Sequence, residues 1–408
     1  MEIPELLAPA GNLEKLKMAV LYGADAVYVG GEDYGLRKKA GNFSIKQLEE
    51  GIEFAHQAGV KVYVTVNIIP HNDDLIGLPE YIKDLEKLGI DAVIVADPGV
   101  FSIVKEVAPN LEVHISTQAN NTNWASVKFW KGQGADRVIL ARELSLEEIK
   151  KIEQRVDLSL EVFMHGAMCI SYSGRCLLSN YMIDRDANRG ECAHSCRWKY
   201  TLMEEERPGQ YYPIHEDEQG TYIFNSKDLC MVEHLPELIA SGVDSLKIEG
   251  RMKSLHYVAT VTNVYRRALD EYKADPENYQ FNPKWLAELK KISHRHYTTG
   301  FYFDRPTGKE QNYTSSGYSR DYDFMGIVRN YLPQTEEAVI EVRNKFFQGD
   351  QVEIFGPETD TFVEVIDQIK DEDGKEIEAA PHPHQLITVK VNQSVNKYDL
   401  VRREREGE

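Results

Sequence analysis

The five cysteines are the residues whose type and spacing most directly suggest chemistry. They are Cys169, Cys176, Cys192, Cys196 and Cys230, so that four of the five lie within one short segment. A sparse and odd set of cysteines differs from the disulfide framework of a small secreted domain. Four converging thiolates can hold a tetrahedral zinc ion or an iron–sulfur cluster, and the clustering therefore predicts a metal site.

A zinc ion and a nucleophilic thiol are two alternatives for this segment. Only Cys192 and Cys196 have the close spacing usual for a zinc-binding pair, but His165 and His194 lie nearby in the sequence and could complete a Cys/His site. Cys169 paired with His165 could also act as a nucleophile, although a set of cysteines is not typical of a single activated thiol. Ligand chemistry alone leaves zinc and iron–sulfur both open.

A second group of polar residues follows the predicted buried strands. The members are Asn67, Asp97, Gln118, Arg142, Glu143, His165, Lys247, Glu249 and Arg251. Arginine binds carboxylates through forked hydrogen bonds, so we expect Arg142 and Arg251 to hold a small carboxylate substrate, with Asn67 and Gln118 beside them. The alternative is that the arginines only pair with neighbouring glutamates across the rim of the site.

The segment 184–199 is the candidate RNA-binding surface. Its cationic residues are Arg185, Arg189, Arg197 and Lys199, with Trp198 and Tyr200 alongside. Cationic and aromatic groups together can contact phosphates and stack on bases. The whole chain carries 47 basic and 66 acidic residues, a net charge of −19, so its total charge does not attract nucleic acid. The alternative is a solvated loop in which these side chains only cover the surface.

Alternating strand and helix segments are expected to position these residues. A Gly-x-Asp tripeptide precedes a short apolar run four times, beginning at Gly23, Gly89, Gly134 and Gly242. The glycine suits the end of a helix, the aspartate suits a turn, and the apolar run suits a buried parallel strand. Four further apolar runs bring the tally to eight βα units in about 250 residues, which favours an α/β fold of the (β/α)8 TIM-barrel type. An open doubly wound sheet is the alternative.

The remaining segments complete the predicted organisation. Residues 1–310 form the barrel domain, and an insertion at 167–240, before the eighth strand, contains all five cysteines. A linker at 311–322 leads to residues 323–408, where alternating apolar and polar residues predict a small antiparallel β-barrel. The hydrophobic content of 42% excludes a disordered chain. No apolar run is long enough for a bilayer and no basic leader begins the chain, so we expect a cytoplasmic protein without membrane contact.

Several sequence blocks resemble one protein family. Glu161-Val-Phe163, Gly166-Ala-Met-Cys169, Gly174-Arg-Cys176 and Leu178-Ser179 are similar to the signature of the U32 family, whose members have long been labelled peptidases or collagenase-like proteases. The blocks LLAPAG, GADAVYVGG, NRGECAHSCRWKY, NSKDLC and SLKIEGRMKS resemble that family as well. The resemblance covers essentially the whole chain, including the terminal β-barrel. The sequence itself has no His-Glu-x-x-His, Gly-x-Ser-x-Gly or Walker motif.

The activity that the resemblance implies in the first instance is hydroxylation and not proteolysis. Better understood members act in ubiquinone synthesis, on ribosomal RNA, or on the wobble uridine 34 of tRNA with prephenate required. The block SHRHYTTGFY and the terminal barrel resemble the tRNA branch. In such members four cysteines hold an iron–sulfur cluster, here of the 4Fe–4S type. Transferred to this chain, the ligands are Cys169, Cys176, Cys192 and Cys230, with Cys196 as the alternative to Cys230.

These inferences combine into one hypothesis. The chain is an iron–sulfur enzyme that hydroxylates C5 of tRNA uridine 34, with prephenate or a related dicarboxylate bound by Arg142 and Arg251. His165 and Glu249 are the candidates for proton transfer. A U32-type peptidase is the alternative enzyme, and a non-catalytic RNA-binding protein is the alternative outside catalysis. A second homologous U32 chain is a further candidate partner beside tRNA and prephenate.

Overall fold

The computed structural model describes residues 3–35, 42–168, 178–183, 185, 193, 195, 215–217, 220–222, 227–304 and 319–405. In chain order, the strands up to residue 304 are β1 (Glu5–Pro9), β2 (Ala26–Gly30), β3 (Lys61–Val66), β4 (Ala92–Val95), β5 (Glu112–Ile115), β6 (Arg137–Ile139), β7 (Ser159–Ala167), β8 (His215–Asp217), β9 (Gly220–Tyr222), β10 (Asp228–Cys230), β11 (Ser245–Ile248) and β12 (Tyr297–Thr298).

Eight of these strands form a closed parallel ring. Strands β1 to β7 pair each with the next, and β11 pairs with both β7 and β1. Their residues are almost all buried, as expected for parallel strands covered on both faces. The predicted (β/α)8 barrel is therefore confirmed, and the open-sheet alternative is wrong because the pairing of β11 with β1 and β7 leaves neither end of the ring open.

The Gly-x-Asp tripeptides fasten neighbouring ring strands together in four pairs. Each aspartate accepts a hydrogen bond from a backbone N–H of the preceding ring strand, at 2.7–2.8 Å, and returns its own N–H to the same residue. The pairs are Asp25 with Leu6, Asp91 with Val62, Asp136 with Val113 and Asp244 with Leu160. Each glycine has a positive φ, which an L side chain rarely adopts. The repeat seen in the sequence is thus four copies of one strand-to-strand clamp.

Ten helices lie in the described part of the chain. They are α1 (Leu13–Leu21), α2 (Ile45–Gln57), α3 (Leu78–Lys87), α4 (Pro98–Val107), α5 (Trp124–Gln133), α6 (Leu146–Glu153), α7 (Leu178–Ile183), α8 (Leu235–Ile239), α9 (Leu255–Ala274) and α10 (Pro283–Lys290). Most begin at an Asn, Ser or Asp cap; Asp97, one of the strand-end residues, accepts from the N–H groups of Gly99 and Val100 at the start of α4. No helix in the described ranges is long and apolar enough to cross a membrane.

Two short strands extend the ring beside β7. Strand β10 runs antiparallel to β7, with Asp228 opposite Ala167 and Cys230 opposite His165. Strand β12 then pairs with β10 in parallel. The end of the insertion is thereby returned to the strand from which the insertion starts.

The C-terminal residues form an antiparallel half-barrel. Its strands are β13 (Tyr322–Leu332), β14 (Glu337–Val342), β15 (Phe346–Phe347), β16 (Gln351–Phe355), β17 (Phe362–Val365), β18 (Ile369–Lys370), β19 (Glu376–Ile377), β20 (Ala379–Ala380), β21 (Leu386–Lys390) and β22 (Leu400–Glu404). Eight of them share one sheet in the order β17-β16-β22-β13-β14-β21-β18-β19, and β15 pairs with β20. An apolar core that includes Met325, Ile340 and Ile387 fills its concave side.

The half-barrel packs on helices of the ring. Side chains of α1 and α9 join side chains of β13, β16 and β22 in one apolar cluster. Beside it, Arg402 is fully buried and pairs with Glu288 of α10 and with Glu353, at 2.6 and 2.7 Å. Such a buried pair is stable only while both partners are present. The two parts are therefore joined by apolar packing and by buried charge.

Candidate active site

The C-terminal mouth of the ring brings together three of the predicted substrate-binding residues. Arg251 is 4% exposed and donates to the Thr65 hydroxyl at 2.8 Å. Asn67 follows Thr65 by two residues, and its amide nitrogen lies 3.4 Å from the Ser116 hydroxyl. The backbone N–H of Gln118 donates to the same hydroxyl at 3.3 Å. The Ser116 hydroxyl thus joins Asn67 and Gln118, and Arg251 is held on Thr65, two residues before Asn67.

Arg251 reaches Thr65 because β2 ends in a glycine. A Cβ atom on Gly30 would overlap the Arg251 guanidinium. Thr65 donates in turn to the Val29 carbonyl at 3.0 Å, so its hydroxyl oxygen is oriented toward the arginine. The Arg251 side chain is therefore held across β2 and β3, directly at the mouth.

Among the residues that the structure describes, the amide side chains at the mouth leave buried polar atoms without a hydrogen-bond partner. These atoms are Oδ1 of Asn67, Oε1 of Gln118, and both Oδ1 and Nδ2 of Asn121. Asn121 is 1% exposed, and its backbone carbonyl accepts from the Ala141 N–H at 3.1 Å. An unpaired buried polar group costs about 1–3 kcal/mol, so proteins rarely collect several at one place without a use.

Arg142 lies beside β7, on another part of the rim. Its Nη1 donates to the Ala167 carbonyl at 2.6 Å, and its guanidinium lies over the Phe163 ring at 4.5 Å from the centroid. Burial raises the pKa of the adjacent Glu143. The two arginines predicted as one clamp are thus held by different strands, Arg251 over β2 and β3 and Arg142 at the end of β7.

Paired charges fill the ring below the mouth. Glu161 is fully buried, accepts from Lys247 at 2.7 Å and lies 3.4 Å from Arg137. Arg137 also pairs with Glu5, to which Tyr63 donates at 2.7 Å. Burial alone would raise the pKa of Glu161, but the charges of Lys247 and Arg137 outweigh it and hold this pKa below its ordinary value. The ring is therefore a packed core, and a ligand meets it from the mouth.

His165 faces helix α9. Near the ends of β7 and β11 the register shifts, and the His165 ring packs against Tyr257, Tyr265 and Tyr297 with centroid distances of 5.4–5.9 Å. Its Nδ1 lies 3.3 Å from the Tyr265 hydroxyl. Burial lowers the pKa of His165 to about 3, so the imidazole is neutral at neutral pH.

Glu249, the second candidate for proton transfer, is fixed beside His165 through the backbone. Its N–H donates to the His165 carbonyl at 2.8 Å, and its carbonyl accepts from the Tyr257 hydroxyl at 3.0 Å. Gly166 makes this approach possible, because it has φ of 114° and a Cβ atom there would overlap the Glu249 backbone. The structure brings the two residues together along the chain, and their catalytic role stays a prediction.

Cys230 is the predicted cluster ligand that the structure describes. Its thiol is buried, lies 3.8 Å from the Tyr265 hydroxyl, and sits on β10 opposite His165. Burial raises the pKa of this thiol to about 12, so the free side chain is a protonated thiol, and metal coordination would deprotonate it. Strand β7 ends two residues before Cys169. A cysteine donor beside the strand that leads to Cys169 fits a shared cluster.

The other predicted ligands and most of the cationic surface lie outside the described residues. These are Cys169, Cys176, Cys192, Cys196, His194, Arg189, Arg197 and Lys199. Arg185 is described and half-buried, and its N–H donates to the Ser179 carbonyl at 3.4 Å. Within the described ranges, no group of three or more His, Cys, Asp or Glu side chains could hold a metal ion. The ligand set and the RNA-binding surface stay predictions.

Sequence reasoning missed three residues of this region. Asn121 escaped because it lies past the end of β5, where a polar residue resembles any loop residue. Asp228 and Tyr265 escaped because their neighbours are remote in sequence. Asp228 is 1% exposed, accepts from the Arg295 N–H at 3.1 Å and lies 3.9 Å from Lys253. The signal available in the sequence was an aspartate two residues before Cys230.

Comparison with known proteins settles the family. The sequence model of peptidase family U32 matches residues 11–312, and that of the U32 C-terminal domain matches residues 320–402. The chain belongs to peptidase family U32. The tRNA hydroxylation protein P1 of Bacillus subtilis is 48% identical to this U32 chain over 400 residues, covering 98% of the chain and 94% of that protein.

Two further U32 relatives are named for RNA hydroxylation. The tRNA hydroxylation protein P of Escherichia coli is 39% identical over 448 residues, covering 99% of this chain and 98% of that protein. The 23S rRNA 5-hydroxycytidine C2501 synthase of Escherichia coli is 41% identical over 266 residues, which is 65% of this chain and 39% of that protein. The predicted family is confirmed over both the ring and the half-barrel.

Proposed function

We propose that this U32 chain is an enzyme that hydroxylates RNA and that its substrate is tRNA. The observation that carries the proposal is similarity along the whole chain to two proteins named for tRNA hydroxylation. A third relative is named as a synthase of 5-hydroxycytidine in ribosomal RNA. Hydroxylation of RNA is therefore the activity that these relatives have in common.

The finer proposal is hydroxylation at C5 of the wobble uridine 34 with prephenate as co-substrate. Prephenate is a dicarboxylate, and a guanidinium is the side chain that binds a carboxylate through two parallel hydrogen bonds. Arg251 supports this assignment because it is buried at the mouth and held by Thr65. Arg142 on the β7 side of the rim would meet the second carboxylate.

We also propose a 4Fe–4S cluster held by Cys169, Cys176, Cys192 and Cys230. Replacing a C–H bond of the base by a C–O bond removes two electrons, which an external oxidant must finally accept, and a bound cluster would pass them on one at a time. Support comes from Cys230, which lies on β10 next to the strand that leads to Cys169. Zinc, the alternative ligand chemistry, would supply no redox step.

The chain's own residues would hold and orient the reactants. Tyr265 fixes the surroundings of Cys230, because its hydroxyl donates to the Met164 carbonyl at 3.1 Å and accepts from the Met231 N–H at 3.2 Å. Burial lowers the pKa of His165 to about 3, so in the free chain the neutral imidazole is a weak base and carries no imidazolium proton to give at neutral pH. Glu249 is then the candidate for returning one.

The test is mass spectrometry of tRNA nucleosides from a strain that lacks this chain. We expect the 5-hydroxyuridine-derived peak to disappear, to return with the wild-type chain and to stay missing with Cys169→Ala. Purified Cys169→Ala should also lose the visible absorption of the cluster. An unchanged nucleoside profile in the deletion strain contradicts the function; a normal absorption band and product with Cys169→Ala contradict only the cluster.

Two controls separate the alternatives. Incubation of the purified protein with unfolded collagen or casein should give no cleavage, whereas a peptidase would fragment both. A non-catalytic RNA-binding protein would bind tRNA and leave its nucleosides unchanged. Steep loss of tRNA binding with added salt would show phosphate contacts despite the net charge of −19.

A further inference from the structure

We infer that Asn67, Gln118 and Asn121, here called the mouth amides, form a pocket that binds the hydrogen-bonding edge of a pyrimidine base. The inference rests on the proposed function and deepens it, because it assigns the part of the substrate that enters the ring. It also divides the mouth into two subsites. Arg251 serves a carboxylate, and the amides serve a base.

The mouth amides follow two ring strands, β3 and β5, that are separated by β4 alone. Asn67 follows β3, and Gln118 and Asn121 follow β5. The Asn67 amide nitrogen and the Gln118 backbone N–H meet at one hydroxyl, that of Ser116. Asn121 lies three residues after Gln118. Its backbone carbonyl accepts a hydrogen bond from the N–H of Ala141, which follows β6. The three amides therefore occupy one sector of the rim, from β3 to β6.

Unpaired atoms in this sector indicate a missing hydrogen-bonding partner. Within the described part of the chain, each mouth amide has its side-chain oxygen buried without a partner, and Asn121 has neither side-chain atom paired. Asn121 is 1% exposed, so water does not compensate it as it would at the surface. Four unpaired buried atoms on three adjacent side chains would together cost several times the about 1–3 kcal/mol of one. A ligand that pairs with them recovers that free energy on binding.

The chemistry of the unpaired atoms favours a base over a carboxylate. Three of the four are oxygens, which accept hydrogen bonds and need N–H or O–H groups opposite them. A carboxylate offers only acceptors and would face these oxygens unfavourably. The edge of a pyrimidine offers an N–H or NH₂ group flanked by acceptors, and an Asn or Gln amide can present either of its two ends to it. A neutral, two-sided ligand therefore pairs with both ends of the amides, whereas a carboxylate would pair with their NH₂ ends alone.

A pocket for the base at the ring is also what a reaction on that base requires. An enzyme that modifies a base must take it out of the stack and bind it in a pocket. Polar groups of the pocket that stay unpaired with the wrong ligand give strong discrimination, because their desolvation is then uncompensated. The mouth amides are such groups, and the packed charges below them limit how deep the base can go.

Near-isosteric apolar variants test this inference. Asn121→Leu and Gln118→Met remove the polar atoms and keep most of the volume. Since the free protein leaves these atoms unpaired, we expect an equal or higher melting temperature for both variants. Gln385→Leu is the matched control, because Gln385 also has a buried, unpaired side-chain oxygen but lies in the half-barrel. It should change stability in the same direction and leave RNA binding unchanged.

The measurement is competition binding of the purified, metal-loaded full chain to two RNA stem-loops, one with a uridine in the loop and one with an abasic site there. We expect the wild type and Gln385→Leu to prefer the uridine, and Asn121→Leu and Gln118→Met to lose about tenfold of that preference. Affinity for prephenate should not change in any variant.

Three results would overturn the inference. They are an unchanged preference for uridine in both variants, a parallel loss of prephenate affinity, which would place the amides in the carboxylate subsite, and a lower melting temperature in both variants, which would make the amides structural. If the variants keep the preference while the wild type hydroxylates tRNA, only this inference fails. A wild type that neither prefers the uridine nor hydroxylates tRNA would instead remove the proposed function.

Discussion

The guanidinium of Arg251 occupies the space where a side chain on Gly30 would begin. The arginine follows β11 and the glycine ends β2, so the contact joins opposite ends of the barrel sequence. Its hydrogen bond to Thr65 holds the arginine in that space. The absence of one methyl group on β2 thus decides where the proposed carboxylate-binding residue lies.

Gly30→Ala should therefore displace Arg251. Overpacking of a filled site costs about 1–3 kcal/mol, and the arginine must move or the strand must shift. We expect KM for prephenate to rise about tenfold in a hydroxylation assay, because roughly one charge-assisted hydrogen bond is lost. Gly132→Ala is the control: a Cβ atom there meets open space in α5, and alanine favours a helix. An unchanged KM in Gly30→Ala would exclude Arg251 from substrate binding.

Cys230 and Cys196 can be distinguished as the fourth ligand of the proposed cluster. Because Cys230 lies on β10 beside the strand leading to Cys169, we expect Cys230→Ala to remove the visible absorption and the bound iron. Cys196→Ala should retain both. Iron analysis and absorption spectra of the two variants, purified without oxygen, give the answer. Retention of the cluster by Cys230→Ala together with its loss from Cys196→Ala would reverse the assignment.

Loss of the Glu161 charge should strongly lower the stability of the ring. Glu161→Gln leaves Lys247 buried without its counter-charge and Arg137 with Glu5 alone, and should lower the free energy of unfolding by about 3–5 kcal/mol. Glu147→Gln breaks only the exposed pair with Lys151 and should change the free energy of unfolding little. The pKa of Glu161 is lowered in the folded chain, so the carboxylate stabilises the fold above its unfolded pKa of about 4.3 and loses that effect as pH falls further.

Urea unfolding at several pH values measures this effect. The difference between wild type and Glu161→Gln should be largest at neutral pH and should shrink once the pH falls below about 4. A difference that does not depend on pH would mean that shape, and not charge, explains the loss.

His256 should make the joint between ring and half-barrel sensitive to acid. Burial, with a smaller effect of the Arg402 charge, lowers the pKa of His256 to about 3. The unfolded chain takes up this proton below about pH 6.5 and the folded chain does not, so stability falls as pH drops from 6.5 toward 3. At pH 5 the loss due to this residue is about 2 kcal/mol.

His256→Phe should remove that part of the pH dependence. The His256 imidazole is stacked on Phe324 at 5.5 Å, and its Nε2 has no partner among the described residues, so phenylalanine can replace it without losing a hydrogen bond. We expect the stability difference between pH 7.5 and pH 5 to be smaller in the variant. Equal differences in the variant and the wild type would assign the acid sensitivity to other groups.

The ring was predictable because its signals are local. Gly23 and Asp25 are two residues apart, and what they require, a positive φ and a hydrogen bond to Leu6, follows from their own chemistry. The same reasoning placed Asn67, Gln118 and Arg251 at the mouth, since parallel strands all end at one side.

The orientation of the His165 side chain was not predictable in the same way. The sequence places it at the end of β7 like its neighbours, but the register shift against β11 turns it toward Tyr257 and Tyr265. That shift depends on the pairing of segments about eighty residues apart, and no local pattern records it. The unpaired atoms of Asn121 were invisible for a related reason, because a missing partner is a property of the folded surroundings.

The pairing of Ala167 with Asp228 gives the cysteine-bearing segment the character of an exchangeable cassette. Its entry and exit are joined by backbone hydrogen bonds, so the entropy of closing the loop changes only slowly with the number of residues between them. Lengthening, shortening or grafting that cassette would leave the eight parallel strands in register. Changes of sequence could therefore accumulate in this one segment while the eight strands beneath it stay the same.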